Sequence, residues 1–283
     1  MWWKCIDAGW SGRANQGTLA STDIRCDLAA CFMCSYVALI KPVNCGTLPF
    51  LFPPQQADLY QMENLPVLYI GNKNYSSWSL RAWLGLRATG VAFEEKLVSL
   101  YTDEWFAKAP VISPSGKVPA YFDGSKTIWE ALAILEYVAD TRPDTLLWPL
   151  DMEIRAIARS VSLEMHGGFA ALRSNMPMNL RKDLTGRGRG PAVDQDIRRI
   201  GDIFNLCRSR YGQGRDFLFG EFSIADAMFA PVITRFKTYG VTLDAVGEAY
   251  KETILAMPAM KEWYEAANAE DWVIAGAELP DAT

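Results

Sequence analysis

The chain has 283 residues, half of them apolar, 22% charged and 12% aromatic, proportions that exclude collagen, coiled coil and wholesale disorder. Lys and Arg number 28 against 33 Asp and Glu, a net charge of −5, so no global positive field draws the protein to nucleic acid or to an anionic membrane. The single histidine, His166, excludes zinc chemistry that needs two or more imidazoles.

Residues 1–61 read differently from the rest. Cys5, Cys26, Cys31, Cys34 and Cys45 all precede Met62, and only Cys207 follows it. The longest apolar stretch, Leu28 to Ile40, has 13 residues, short of the roughly 20 that span a bilayer. Mostly polar chain precedes it, against an export signal, and the cytoplasm is the expected location. Cys31-Phe-Met-Cys34 is a CxxC that follows no strand and opens no helix, unlike a redox motif; a zinc site needs two further ligands, of which Cys26 or Cys45 supplies one. The reading is a poorly ordered extension, with Met62 as the natural start and no metal.

From Met62 the patterns become regular. Pro66 to Gly71 is a short apolar run with β-branching, a buried strand. Asn74, Ser76 and Ser77 are helix-capping types, and Leu80, Trp83, Leu84 and Leu86 supply an apolar side until Gly90 stops the helix. Val91 to Leu100 reads as a second strand, making a βαβ unit. A looser stretch, Tyr101 to Pro114, leads to a strand over Val118–Phe122, an Asp123-Gly124 turn and a partner strand over Lys126–Ile128. A helix then runs from Glu130 to about Asp140. Residues 143–151, with Pro143 and Pro149, form a linker. Residues 152–283 are helical: one apolar stripe runs from Ile154 to Leu172 and another from Val193 to Cys207, with further helices over 223–239, 243–257 and 260–269. The glycine-rich run Gly186 to Gly190, in a basic region with Arg173, Arg181, Lys182, Arg187 and Arg189, reads as a mobile loop or as a cap for an anionic second substrate. The expected architecture is α+β/α in two domains, a thioredoxin-like β-α-β then β-β-α unit over 62–142 followed by an all-helical bundle.

Four motifs in this order resemble the cytosolic glutathione transferases of the serine type, across essentially all of 62–283. Asn74-Tyr-Ser-Ser-Trp-Ser-Leu-Arg81 resembles the turn between first strand and first helix in zeta and tau members. Ser113-Pro-Ser-Gly-Lys-Val-Pro119 resembles an N-P-x-G-K-V-P segment whose proline is cis. Trp129-Glu-Ala-Leu-Ala-Ile134 resembles an E-S-x-A-I segment, and Gly220-Glu-Phe-Ser-Ile-Ala-Asp226 a helix-capping box, read as structural.

The resemblance implies glutathione as co-substrate, a homodimer and a small electrophile as partner. A cysteine-type thiol has a pKa near 8.5, and only its anion is the nucleophile. A serine hydroxyl at a helix N-terminus can donate to the sulfur while free N–H groups add positive potential; a bond worth about 1.5–3 kcal/mol lowers the thiol pKa by roughly one to two. Counting five residues back from Arg81, as in tau and zeta, gives Ser76; four, as in theta-like members, gives Ser77. Val118, turned outward by a cis Pro119, would pair with the peptide as an added strand does. Glu130 would take the α-ammonium of the γ-glutamyl group, with helix N–H groups on its carboxylate, and Lys117 the glycyl carboxylate. Ala131 departs from the family's serine and removes one hydroxyl donor. His166, Phe169 and Arg173 fall on the long helix that lines the second-substrate cleft.

P-loop, GxSxG and GxGxxG patterns are absent, and no cysteine stands at the first helix's start for disulfide exchange through a protein thiol. The expected activity is transfer of glutathione to a mostly apolar electrophile. Alternatives are zeta-like isomerisation of a conjugated acid, peroxide or disulfide reduction, and a non-catalytic binding module, which Ala131 supports.

Overall fold

The computed structural model describes residues 65–279, and the expectations for residues 1–61 lie outside them. Strands β1 (Val67–Gly71), β2 (Glu94–Val98), β3 (Ala120–Asp123) and β4 (Lys126–Trp129) form one sheet in the order β2-β1-β3-β4. β1 runs parallel to β2 and antiparallel to β3, and β3 pairs antiparallel with β4. The Asp123–Lys126 hairpin closes on Gly124, whose φ of 59° is the left-handed conformation that a tight hairpin demands.

Alternation along β1 separates the two faces of the sheet. Leu68 and Ile70 are fully buried against helices α1 (Ser77–Thr89) and α3 (Ala131–Thr141). Tyr69 points the other way, toward helix α2 (Asp103–Ile112), which packs Trp105, Ala109 and Ile112 beneath Ala120 and Phe122. α2 corrects the looser stretch expected over 101–114. Thr102 caps it by accepting the Trp105 N–H at 3.1 Å, and Asp103 and Glu104 occupy its first turn, where acids suit the dipole. Pro110 inside it, with Phe106 and Val111 exposed on its outer side, obscures its apolar stripe.

The second half contains α4 (Met152–Gly167), α5 (Ala170–Asn175), α6 (Pro191–Tyr211), α7 (Ile224–Thr238), α8 (Ala245–Ala256) and α9 (Pro258–Asn268). The apolar stripe from Ile154 to Leu172 is not one helix: α4 ends at Gly167, Gly168 has no room for a β-carbon beside the Glu164 carbonyl, and Phe169 takes a φ of 55° before α5 begins. α7 is buried along its whole length except for Lys237 and packs on both α1 and α4, so one continuous core joins sheet layer and helical half. α7 begins at the expected capping box. Asp226 accepts the Ser223 N–H at 2.8 Å, the Ser223 hydroxyl at 2.9 Å, the Leu218 N–H at 3.1 Å and the Tyr250 hydroxyl at 3.0 Å.

The region expected as a mobile loop is pinned instead. Leu184 N–H donates to the Thr238 carbonyl at 2.8 Å and Gly186 N–H to that of Tyr239 at 3.1 Å. Arg189 pairs with Asp194 at 2.9 Å, and Gly188, at φ 68°, lies tight against the Asn175 backbone. Among the described residues no helix is long and apolar enough to cross a membrane.

Candidate functional site

The register brings three strand ends to one edge of the sheet. Ala120 pairs with Tyr69 on one side and Trp129 on the other. Continuing each ladder by one and two residues sets Val118 opposite Gly71 and Pro119 opposite Glu130. The first turn of α1 stands over the same edge, because β1 leads into it through Asn72–Tyr75.

Ser76 caps α1. Its Oγ accepts the Ser79 N–H at 3.3 Å and lies 2.7 Å from the Ser79 hydroxyl, which itself accepts the Gly71 N–H at 3.0 Å. With the Ser79 proton directed to Ser76, Ser76 accepts twice and keeps its own proton to donate outward. Ser77, the first helical residue, makes no side-chain hydrogen bond among the described residues; Ser76 and Ser77 are 8% and 9% exposed. No acid sits in this first turn, so the positive potential of the helix end is not offset. Arg81, fully buried one turn on, donates to the Ser77 carbonyl at 3.1 Å and to that of Met228 at 2.9 Å. Burial, then the charges of Arg235 and Arg173, depress its pKa.

At the facing edge Val118–Pro119 is cis, and no backbone hydrogen bond engages Val118 among the described residues. Lys117 is exposed. Glu130 is the residue before α3, at φ 70°, and its exposed side chain makes no cap bond; Ala131, fully buried, opens the helix.

Trp78 ties the serine turn to the helical half. Its ring lies 5.0 Å from that of His166, with the guanidinium of Arg81 at 4.4 Å and that of Arg173 at 5.7 Å. Arg173 also donates to the His166 carbonyl at 3.2 Å. His166 and Arg173 therefore meet the serine turn through Trp78, while Phe169 packs into the core at 7% exposure. His166 also shares a 310 Å³ apolar pocket with Glu130, Leu132 and Leu163.

A second layer of contacts has no local signal in the sequence. Asn74, fully buried, accepts the N–H groups of Leu180 and Arg181 at 2.7 and 3.1 Å and donates to Asn179 at 3.2 Å. After α9 the chain returns over the serine turn as a strap. Glu270 accepts the Lys73 N–H at 2.5 Å and the Asn74 N–H at 3.1 Å, and Arg181 donates to the carbonyls of Glu270 and Trp272. Glu278 accepts the Tyr75 hydroxyl at 2.6 Å and pairs with Lys182 at 2.6 Å.

Burial pushes the Glu278 carboxyl up, but Lys182, Tyr75 and Asn179 outweigh it and hold the pKa below its ordinary 4.5. The stabilising contribution is therefore present above that value and lost as pH falls through the depressed one. Amide exchange over 271–278, corrected for intrinsic rate, is expected to lose protection in acid, and Glu278→Gln to lose it already at neutral pH. Protection that stays at the parent's neutral-pH level both in acid and in the variant would contradict this anchoring.

Family models for the glutathione S-transferase N-terminal and C-terminal domains match residues 75–141 and 190–266. A Caenorhabditis elegans protein described as a probable maleylacetoacetate isomerase is 30% identical, covering 69% of this chain and 90% of the relative. The Mus musculus maleylacetoacetate isomerase is 32% identical, covering 63% and 81%. A Burkholderia glutathione transferase homologue solved with bound glutathione has a TM-score of 0.57 at 22% identity, covering 73% of this chain and all of that one. A glutathione S-transferase from the Antarctic clam Laternula elliptica gives 0.58 at 18%, covering 73% and 95%. With both domain models matched in order, and a relative aligned over 90% of its length, the chain belongs to the glutathione S-transferase family.

Proposed function

We propose that glutathione lies along the edge formed by Gly71, Val118 and Glu130, and that Ser76 donates to its sulfur, so that the thiolate attacks an electrophile beside Trp78, His166 and Arg173. Two inter-strand spacings, about 10 Å, separate the outer strand ends, which is the reach of an extended tripeptide at about 3.3–3.6 Å per residue. Val118 offers its free backbone groups to the peptide. Glu130 takes the α-ammonium, the Ala131 N–H the adjacent carboxylate and Lys117 the glycyl end. The observation that carries the reading is the Ser76 hydroxyl, which accepts the Ser79 N–H and lies 2.7 Å from the Ser79 hydroxyl, at the start of a helix whose first turn holds no acid. Ser77 shares that positive potential.

Isomerisation of a conjugated acid is the second reading. It is supported by the relatives described as maleylacetoacetate isomerases and by Arg81, Arg173 and Arg235, which among the described residues have no carboxylate partner. Only Arg173 of the three is partly exposed, and an incoming carboxylate there would relieve their mutual repulsion. The thiolate would add to the double bond, forming C–S; the resulting single bond would rotate, and elimination would restore both double bond and thiolate. As a homodimer the protein would cover Leu163 and Met152, which are 58% and 77% exposed.

The test pairs calorimetry of glutathione binding with two assays, a chloronitroaromatic and a cis-conjugated keto acid. A thioether product supports transfer, and a trans acid formed without consumption of glutathione supports isomerisation. Binding without either product leaves a binding module, and no binding at millimolar glutathione sinks the assignment.

A further inference from the structure

A compartment of about 710 Å³ opens between the loop after β2 and the strap. Its lining shares no residue with the glutathione edge or with the Trp78, His166 and Arg173 group. One wall is Ser99 to Thr102 and the other Trp272 to Ala277, and no lining side chain carries a charge. Apolar and aromatic groups dominate: Leu100, Tyr101, Trp272, Val273 and Ile274 face it. The volume lies in the range of small-molecule sites, which are mostly apolar and pre-formed.

Both walls are held in place. Leu100 N–H donates to Asn72 at 2.9 Å, and the strap is fixed by Glu270 at one end, by Arg181 at the Trp272 carbonyl and by Glu278 at the other. At the rim stand aromatic rings that the core does not absorb, Tyr101 at 67% exposure and Trp272 at 37%, with Val273 at 63%. Tyr101 has a φ of 63°, a left-handed conformation that is unfavourable for a residue with a β-carbon and that recurs at ligand clamps.

We propose that this compartment binds an uncharged, flat aromatic compound between Tyr101 and Trp272, separately from glutathione. Rings favour stacking against aromatic faces, and a charged ligand would leave water with nothing to pair its charge. The site does not depend on the transferase reading.

The test titrates the full chain with neutral phenylnaphthylamine, followed by its fluorescence. Saturable binding is expected, weakened by about tenfold or more in both Trp272→Ala and Tyr101→Gly and unchanged in Leu163→Ala, which alters the other apolar pocket. Tyr101→Gly keeps the backbone conformation accessible, so its effect reports the ring rather than misfolding. Saturating glutathione is expected to leave the affinity unchanged. Absence of saturable binding, equal affinity in either rim variant, an equal loss in Leu163→Ala, or displacement by glutathione overturns the site. Tighter binding of anionic anilinonaphthalene sulfonate overturns the uncharged ligand class.

Discussion

Ser76→Ala is expected to lower kcat/KM at neutral pH by about 10- to 100-fold, the cost of losing one hydrogen bond to a thiolate worth about 1.5–3 kcal/mol. The bound thiol pKa should return toward its ordinary value near 8.5. The deficit should therefore shrink as pH rises above that value, where glutathione ionises unaided. Removing the cap also costs about 1 kcal/mol of stability, a small fall in melting temperature that cannot account for the rate. Ser77→Ala keeps the cap and both contacts between Ser76 and Ser79, so its rate should stay close to that of the parent. Ultraviolet absorbance of the bound thiolate against pH, read beside the kinetics, checks both variants. If Ser77→Ala carries the larger loss, the five-residue spacing from Arg81 is the wrong guide.

Asp226→Ala should produce the largest loss of stability. The carboxylate is fully buried and is the shared acceptor for two backbone N–H groups and two hydroxyls. Alanine leaves those donors without a partner at the start of the most buried helix, at a cost of about 3–5 kcal/mol. For a domain of this size that is a fall of roughly 6–20 °C in melting temperature. The pH dependence has a definite sign. Burial pushes the Asp226 carboxyl up to about 6, against donors that favour its anion, from an ordinary value of 3.8. Stability that this group contributes below 3.8 is therefore lost as pH rises through the raised value. The stability gap between parent and Asp226→Ala should be wider at about pH 5 than at about pH 7.5, as measured by denaturant melts. A gap that widens toward alkaline pH would contradict the raised value.

Much of the fold could be read because its elements bury one side. Leu68 and Ile70 alternate with Tyr69, and Val193, Ile197, Ile200 and Phe204 repeat at helical spacing, so period alone identifies β1 and α6. α2 escaped because Pro110 interrupts a short stripe and its exposed positions carry Phe106 and Val111. The break between α4 and α5 escaped for the opposite reason: the stripe continues through Leu172, and only the paired glycines at 167 and 168 mark the interruption. Ser76, Ser77, Val118 and Glu130 could be proposed from short motifs, since each sits at or beside the end of a strand or helix, where turn and cap residues leave a local signature. Glu270, Arg181 and Asn74 could not. Their partners lie between 89 and 197 residues away for the strap contacts of Glu270 and Arg181 and 105 to 107 away for Asn74 in its contacts with Asn179, Leu180 and Arg181, and no period or local spacing encodes such pairs.

The wiring of the serine turn also sets an order of events during synthesis. The Lys73 N–H waits for a carboxylate 197 residues further on, and the Lys73 carbonyl for the Trp263 indole N–H, 190 residues on. Arg81, beneath the turn, waits for the Met228 carbonyl, 147 residues on. A ribosome adding about 5–20 residues per second therefore releases the sheet layer many seconds before the groups that complete its turn. Nascent chains halted before α9 would carry every residue of the proposed glutathione edge and still hold Ser76 on an unfinished support.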